Sequence, residues 1–72
     1  MTVKTFINPI NEDQRITIQQ LHQIEGEPPI LLVDYDTVYT LKRALCYKSV
    51  LALNIVDVTV GERYNDIIIT TK

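Results

Sequence analysis

The most regular pattern of apolar and polar positions lies near the end of the chain. From Asn54 to Val60 the side chains alternate, with Val56, Val58 and Val60 on one side and Ile55, Asp57 and Thr59 on the other. A period of two is the signature of a strand with one face buried. Gly61 to Tyr64 reads as a four-residue turn, and Asn65 to Thr71 returns as the partner strand. That turn sets a register in which Val58 faces Ile67 and Val56 faces Ile69. A slip of one residue would turn the apolar set away from the core.

A second pattern, with helical period, runs from Thr37 to Lys48, TVYTLKRALCYK. At 100° per residue Val38, Leu41, Ala44 and Leu45 gather on one side, which can bury against a sheet. Tyr39, Arg43 and Tyr47 fall at i, i+4 and i+8 on the other side. Asp36 stands where it can cap this helix by accepting a backbone N–H from the first turn. Ser49 to Leu53 fits either a continuation of the helix or the start of the next strand.

The remaining elements follow from local signals. Thr2 to Ile7, TVKTFI, is β-branched and aromatic and predicts a short strand, ended by Asn8-Pro9. Thr17 with Gln20 forms a capping box, Ile16 with Leu21 a hydrophobic staple, and Gly26 stands at a C-terminal cap position. Together they predict a helix over Ile18–Glu25; the competing reading extends Arg15 to Gln19 as a strand. Pro28-Pro29 breaks the chain, and Ile30 to Val33, ILLV, is a continuous apolar run suited to a strand buried on both faces. The expected order is β-α-β-α-β-β. The expected fold is a small single-domain α+β protein, with a mixed four-stranded sheet and two helices on one face. Ile30 to Val60 then reads as one right-handed strand–helix–strand crossover.

Composition narrows the chemistry. Seventy-two residues make one small core, and the only cysteine, Cys46, rules out an intrachain disulfide. Nine acidic and seven basic residues give a net charge of −2, without the basic excess usual in nucleic-acid binders. No apolar run is long enough for a signal peptide or a bilayer span, so a cytoplasmic protein without membrane association is expected. Cys46 and His22, each alone of its kind, lack the company of a zinc site. Only Gly26 and Gly61 exist to shape a phosphate loop, and they lie far apart. Asp34 and Asp36 flank Tyr35 at a strand end and are the one pair suited to a magnesium ion; helix capping and strand termination explain them more simply. Ser49 or Cys46 with His22 would be the only nucleophile–base pairing, and neither has a supporting motif. No enzyme activity and no cofactor are expected.

The functional expectation is a non-catalytic binding module, a small regulator, adaptor or inhibitor acting through contacts with a protein partner. Its contact row would be Tyr39, Arg43 and Tyr47, since Tyr and Arg concentrate at binding hot spots. A second reading rests on DTVYTLKRAL and GERYNDIII. A short helix, a basic helix and a hairpin in that order are similar to a winged-helix DNA-binding module. The resemblance implies nucleic-acid contacts by Lys42, Arg43 and Lys48 on the helix and by Arg63 at the hairpin tip. The chain departs from that pattern in its leading strand, in the apolar run ILLVDY between the helices and in its negative charge.

Self-association is a further expectation. Ile55 and Ile68 fall on the hairpin face opposite the valines, and Asn65 to Thr71 reads as a sheet edge without prolines or inward charges. A homodimer through the hairpin edge or its outer face, with an isologous interface, follows.

Overall fold

Thr2 starts the first element of the computed structural model, which describes residues 1–72. Its Oγ1 accepts a hydrogen bond from the Thr5 amide at 3.3 Å, which caps a helix, α1, over Val3–Ile7. The expected strand is therefore a helix. Val3 and Ile7, four residues apart, both reach the core. Tertiary burial of that pair overrides the β-propensity of the segment.

The reverse holds for the next segment. The expected helix over Ile18–Glu25 is absent, and the competing strand reading stands: β1 spans Arg15–Gln20. Ile16 and Ile18 alternate into the core, and Thr17 points to the opposite face. Thr17 caps nothing; its hydroxyl donates to Asp66 at 3.0 Å. Gly26 keeps a left-handed backbone, φ 89°, but in a loop.

Strand β2, Ile30–Thr37, is longer than the apolar run alone and, as a sheet edge, leaves Ile30 and Leu31 exposed instead of burying both faces. It passes through Tyr35 at φ 54°, an uncommon conformation for a bulky residue, and runs straight into helix α2, Val38–Arg43. The cap of α2 is Thr37, whose Oγ1 accepts from the Thr40 amide at 3.2 Å. Asp36 instead accepts from the Thr37 amide at 2.8 Å. The long helix to Lys48 is broken. Ala44 turns extended (ψ 121°), Leu45–Tyr47 form a single 3₁₀ turn, and Lys48–Leu51 make a last short helix, α3. The helical phase resets at Ala44, so Leu45, expected in the core, is 87% exposed. Of Ser49 to Leu53, open to either element from pattern alone, Ser49 to Leu51 are helical and the last two residues turn toward β3.

Strands β3, Ile55–Val60, and β4, Asp66–Thr71, form the expected hairpin. Val58 pairs with Ile69 and Val60 with Ile67, two residues from the turn-based register. A two-residue shift keeps the side chains of Asp57 to Val60 on their expected faces, and it arises because the turn moves one residue along: Gly61 N–H donates to the Asp66 carbonyl at 2.9 Å. A bulge between Ile55 and Asp57 then resets the alternation. Ile55 consequently packs against the core instead of facing outward with Asp57.

The sheet order is β2-β1-β4-β3. The centre is a parallel pair, β1 with β4, and each is flanked by an antiparallel partner. Strand β4, expected at the edge, is interior; β2 and β3 are the edges. They run parallel to each other, and the α2–α3 segment crosses between them. The chain is thus a small α+β domain with a mixed four-stranded sheet, in the order α-β-β-α-α-β-β instead of β-α-β-α-β-β. Val3, Ile7, Val38 and Leu41 from the helices meet Ile16, Ile18, Val33 and Ile69 from one sheet face to form the core. No helix is long and apolar enough to cross a membrane.

The other sheet face has no helix over it. The 61–65 loop instead folds Arg63 back onto it. Arg63 Nη1 is 3.0 Å from Asp34, its Nε 3.6 Å from Asp66, and its Nη2 donates to Thr17 at 3.1 Å. Its guanidinium lies 4.5 Å from the centre of the Tyr35 ring, and the Tyr35 hydroxyl donates to the Tyr64 carbonyl. Asp66 is buried beneath this cover, beside Gly61. A Cβ at position 61 would fall 2.5 Å from the Asp66 carboxylate, which is the reason for a glycine there.

Candidate functional site

The helix face carries the residues singled out from the sequence, in a partly different arrangement. Tyr39 and Arg43 do share a side of α2. The Arg43 guanidinium stacks on the Tyr39 ring at 3.9 Å, and both are exposed. Arg43 also pairs with Glu12, Nη1 to Oε2, at 2.8 Å. That hydrogen bond holds the Glu12 carboxyl below its ordinary range and raises Arg43 further. Both groups are open to water, so the pair orients the guanidinium more than it stabilises the fold.

Tyr47 does not continue the row. The break at Ala44 turns it inward, where it packs against the core margin and donates to Asp36 at 3.2 Å. Burial first, and the hydrogen bond to Asp36 second, push its phenol above the usual tyrosine range. The expected row of three is thus a stack of two with a separate, half-buried tyrosine.

Beside the stack lies a hollow of about 560 Å³ between α1, α2 and α3. Lys4, Lys42, Arg43 and Lys48 line it, together with Thr2, Ala44, Leu45, Leu51 and Ala52. Four of the chain's seven basic residues meet here, and none of its nine acidic ones lines the wall. Lys42 is steadied by donating to the Asn8 carbonyl at 3.2 Å. The wall thus mixes four cations with four apolar side chains, of which Leu45 is nearly free in solvent. Lys4 and Leu45 were not among the expected site residues. Lys4 rides on a segment that reads as a strand, and Leu45 is exposed only because the helix breaks before it.

Arg63, grouped with these cations in the DNA-binding reading, is elsewhere. It is engaged by Asp34, Asp66 and Thr17 on the opposite sheet face. Asp34 and Asp36 also diverge: the first meets Arg63, the second Thr37 and Tyr47. His22 accepts the Ile24 amide through Nδ1 at 3.0 Å, while Ser49 and Cys46 are exposed on the α3 side of the molecule without a bond to it. Compared with known proteins, the chain matches no family model, no curated protein and no solved structure.

Proposed function

We propose that this chain is a binding module whose hollow takes an acidic, partly apolar segment of another protein. The observation that carries the reading is the segregation of charge. A chain of net charge −2 concentrates Lys4, Lys42, Arg43 and Lys48 in one wall beside Ala44, Leu45, Leu51 and Ala52. Carboxylates on a partner would meet these cations, and an apolar side chain would cover Leu45, which otherwise stays in water at a loss of about 1.5–3 kcal/mol relative to burial. The exposed Tyr39–Arg43 stack at the margin supplies the residue types that dominate binding energy. Binding through this face needs no cofactor and no chemistry.

The same cations would suit a phosphate backbone. Two features favour the protein partner. Helix α2 has six residues, about 9 Å of length, short for a helix that reads a major groove. Arg63 is committed to the far face of the sheet.

An NMR titration with a synthetic peptide of alternating glutamate and leucine tests the reading. The expected result is a shift of the amide signals of Ala44, Leu45 and Lys48. Lys42→Glu combined with Lys48→Glu should weaken binding roughly tenfold, since each exposed charge contact contributes about 0.2–1 kcal/mol and reversal adds repulsion. Shifts produced by a mixed-sequence DNA duplex and not by the peptide, or no shift from either, would overturn it.

A further inference from the structure

Strand β3 is one of the two edges of the sheet. Its outer edge is covered only at the start. The Ile55 amide donates to the Met1 carbonyl at 2.8 Å, and Thr2 bridges Asn54. From Val56 to Val60 no other strand lies beside it.

The direction of the free groups follows from one hydrogen bond. Gly61 N–H is aimed at the Asp66 carbonyl at 2.9 Å. Alternation then turns the peptide groups of Thr59 and Asp57 toward β4, and those of Val58 and Val60 away from the sheet. The side chains on this stretch are Val56, Val58 and Val60, at 53%, 38% and 86% exposure, with Asp57 and Thr59 between them. No lysine, proline or inward charge guards the edge.

We propose that β3 pairs with β3 of a second copy of this chain, antiparallel, about a twofold axis at Val58. Val56 lies in the bulge without a partner on β4, so the regular stretch is Asp57–Val60, and an axis at Val58 lies within it. The outward N–H and C=O of Val58 then exchange bonds with their own equivalents. Val56 comes opposite Val60 of the second copy, and Asp57 comes opposite Thr59, so no like charges meet. Any register with its axis at Asp57 would set two carboxylates face to face. The strand is thus self-complementary, and the occupant its pattern fits is another β3. Two four-stranded sheets become one continuous sheet across the join.

Sedimentation equilibrium over tens to hundreds of micromolar reads the mass, and amide exchange by NMR reads the edge. The expected mass rises toward twice that of the monomer. Protection of the Val58 and Val60 amides rises with concentration, while Asp57 and Thr59 are protected throughout. Thr59→Glu, which sets a carboxylate opposite Asp57 of the second copy, should return the protein to monomer. Thr59→Lys, equally exposed and opposite in sign, should leave the dimer intact or tighten it. The circular dichroism of both variants checks the fold. If Thr59→Glu loses it, Val58→Pro replaces it, because that change removes an outward N–H that β4 does not use. A monomer at every concentration, a dimer with Val58 and Val60 unprotected, or the same dimer constant for both charge variants would overturn the proposal.

Discussion

The two edges of the sheet are built from similar residues and end in different states. Strand β2, ILLVDYDT, and strand β3, IVDVTV, are both rich in branched apolar side chains, and both pair with one neighbour only. On β2, Val33 is 1% exposed, because α1 and α2 close over its face. On β3, no helix reaches Val58 or Val60. The β2 edge is also irregular. Pro28-Pro29 precede it, the register shifts twice against β1, and Tyr35 at φ 54° bends it. Arg15 donates to the Tyr35 carbonyl at 3.1 Å, which fixes this irregular point of β2 against β1. The β3 edge has one bulge, at its start, and is regular beyond it. What differs is coverage and guarding, which belong to the whole molecule. Apolar content is shared.

The comparison is sharpest in a pair of valines. Val33→Ala should lower stability by about 2–3 kcal/mol, through lost burial and a cavity beside Ile18. Val58→Ala, at an equally apolar position, should cost under about 0.5–1 kcal/mol in the monomer. Urea unfolding at low protein concentration measures both. Equal losses would mean that β3 is covered after all.

A smaller effect tests what fastens β2 from the open side. Arg63→Ala removes the group shared by Asp34, Asp66 and Thr17 and leaves the buried Asp66 carboxylate with a weakened set of partners. The expected loss is about 1–2 kcal/mol, with restoration in part by lysine, which keeps the charge but not the fork of donors. A loss that vanishes in an Asp66→Asn background would tie it to that carboxylate.

The smallest effect concerns the far end of β2, where Tyr47 donates to Asp36. The raised phenol of Tyr47 binds its proton more tightly folded than unfolded. Its contribution is therefore complete below the ordinary tyrosine range and is lost as pH rises through the folded-state value. An ultraviolet titration should show a late step, a phenol that ionises above the ordinary tyrosine range. Tyr47→Phe should remove that late step and cost under about 1 kcal/mol at neutral pH. A late step that persists in Tyr47→Phe would assign it to another tyrosine.

Much of this sheet is legible in the sequence where the pattern is unambiguous. The alternation of Val56, Val58 and Val60 announces β3, and ILLV announces β2. The class of fold follows from them. The first two elements exchange type for a physical reason. TVKTFI places Val3 and Ile7 four apart as well as being β-branched, and RITIQQ alternates as well as carrying a capping box. Each segment satisfies both local rules, and only the partner decides. Thr17 is drawn to Asp66, forty-nine residues away, which no window of local sequence contains. The cationic hollow is hidden for a related cause. Lys4 joins Lys42 and Lys48 only when α1 is a helix, and Tyr47 leaves Tyr39 only when the chain bends at Ala44. The Tyr39–Arg43 stack, by contrast, is an i, i+4 pair inside one helix and is visible from spacing alone.

The parallel join between β1 and β4 also governs how the molecule is made. It brings Gln19 to Thr70, fifty-one residues apart, and it is the seam along which the two hairpins meet. Neither hairpin owns the core: Ile16, Ile18 and Val33 come from one, Ile69 from the other. Closing so long a loop is entropically unfavourable before any contact across it forms, and parallel pairing of this kind is intrinsically slow. Folding is therefore expected to have a late, rate-limiting step in which the two halves dock and order together, slowed by truncation of Ile18 or Ile69 in the buried seam and scarcely affected by truncation of the exposed Val60. A peptide comprising β1 and β2 would, on the same grounds, wait unstructured for its complement and fold when the other hairpin arrives.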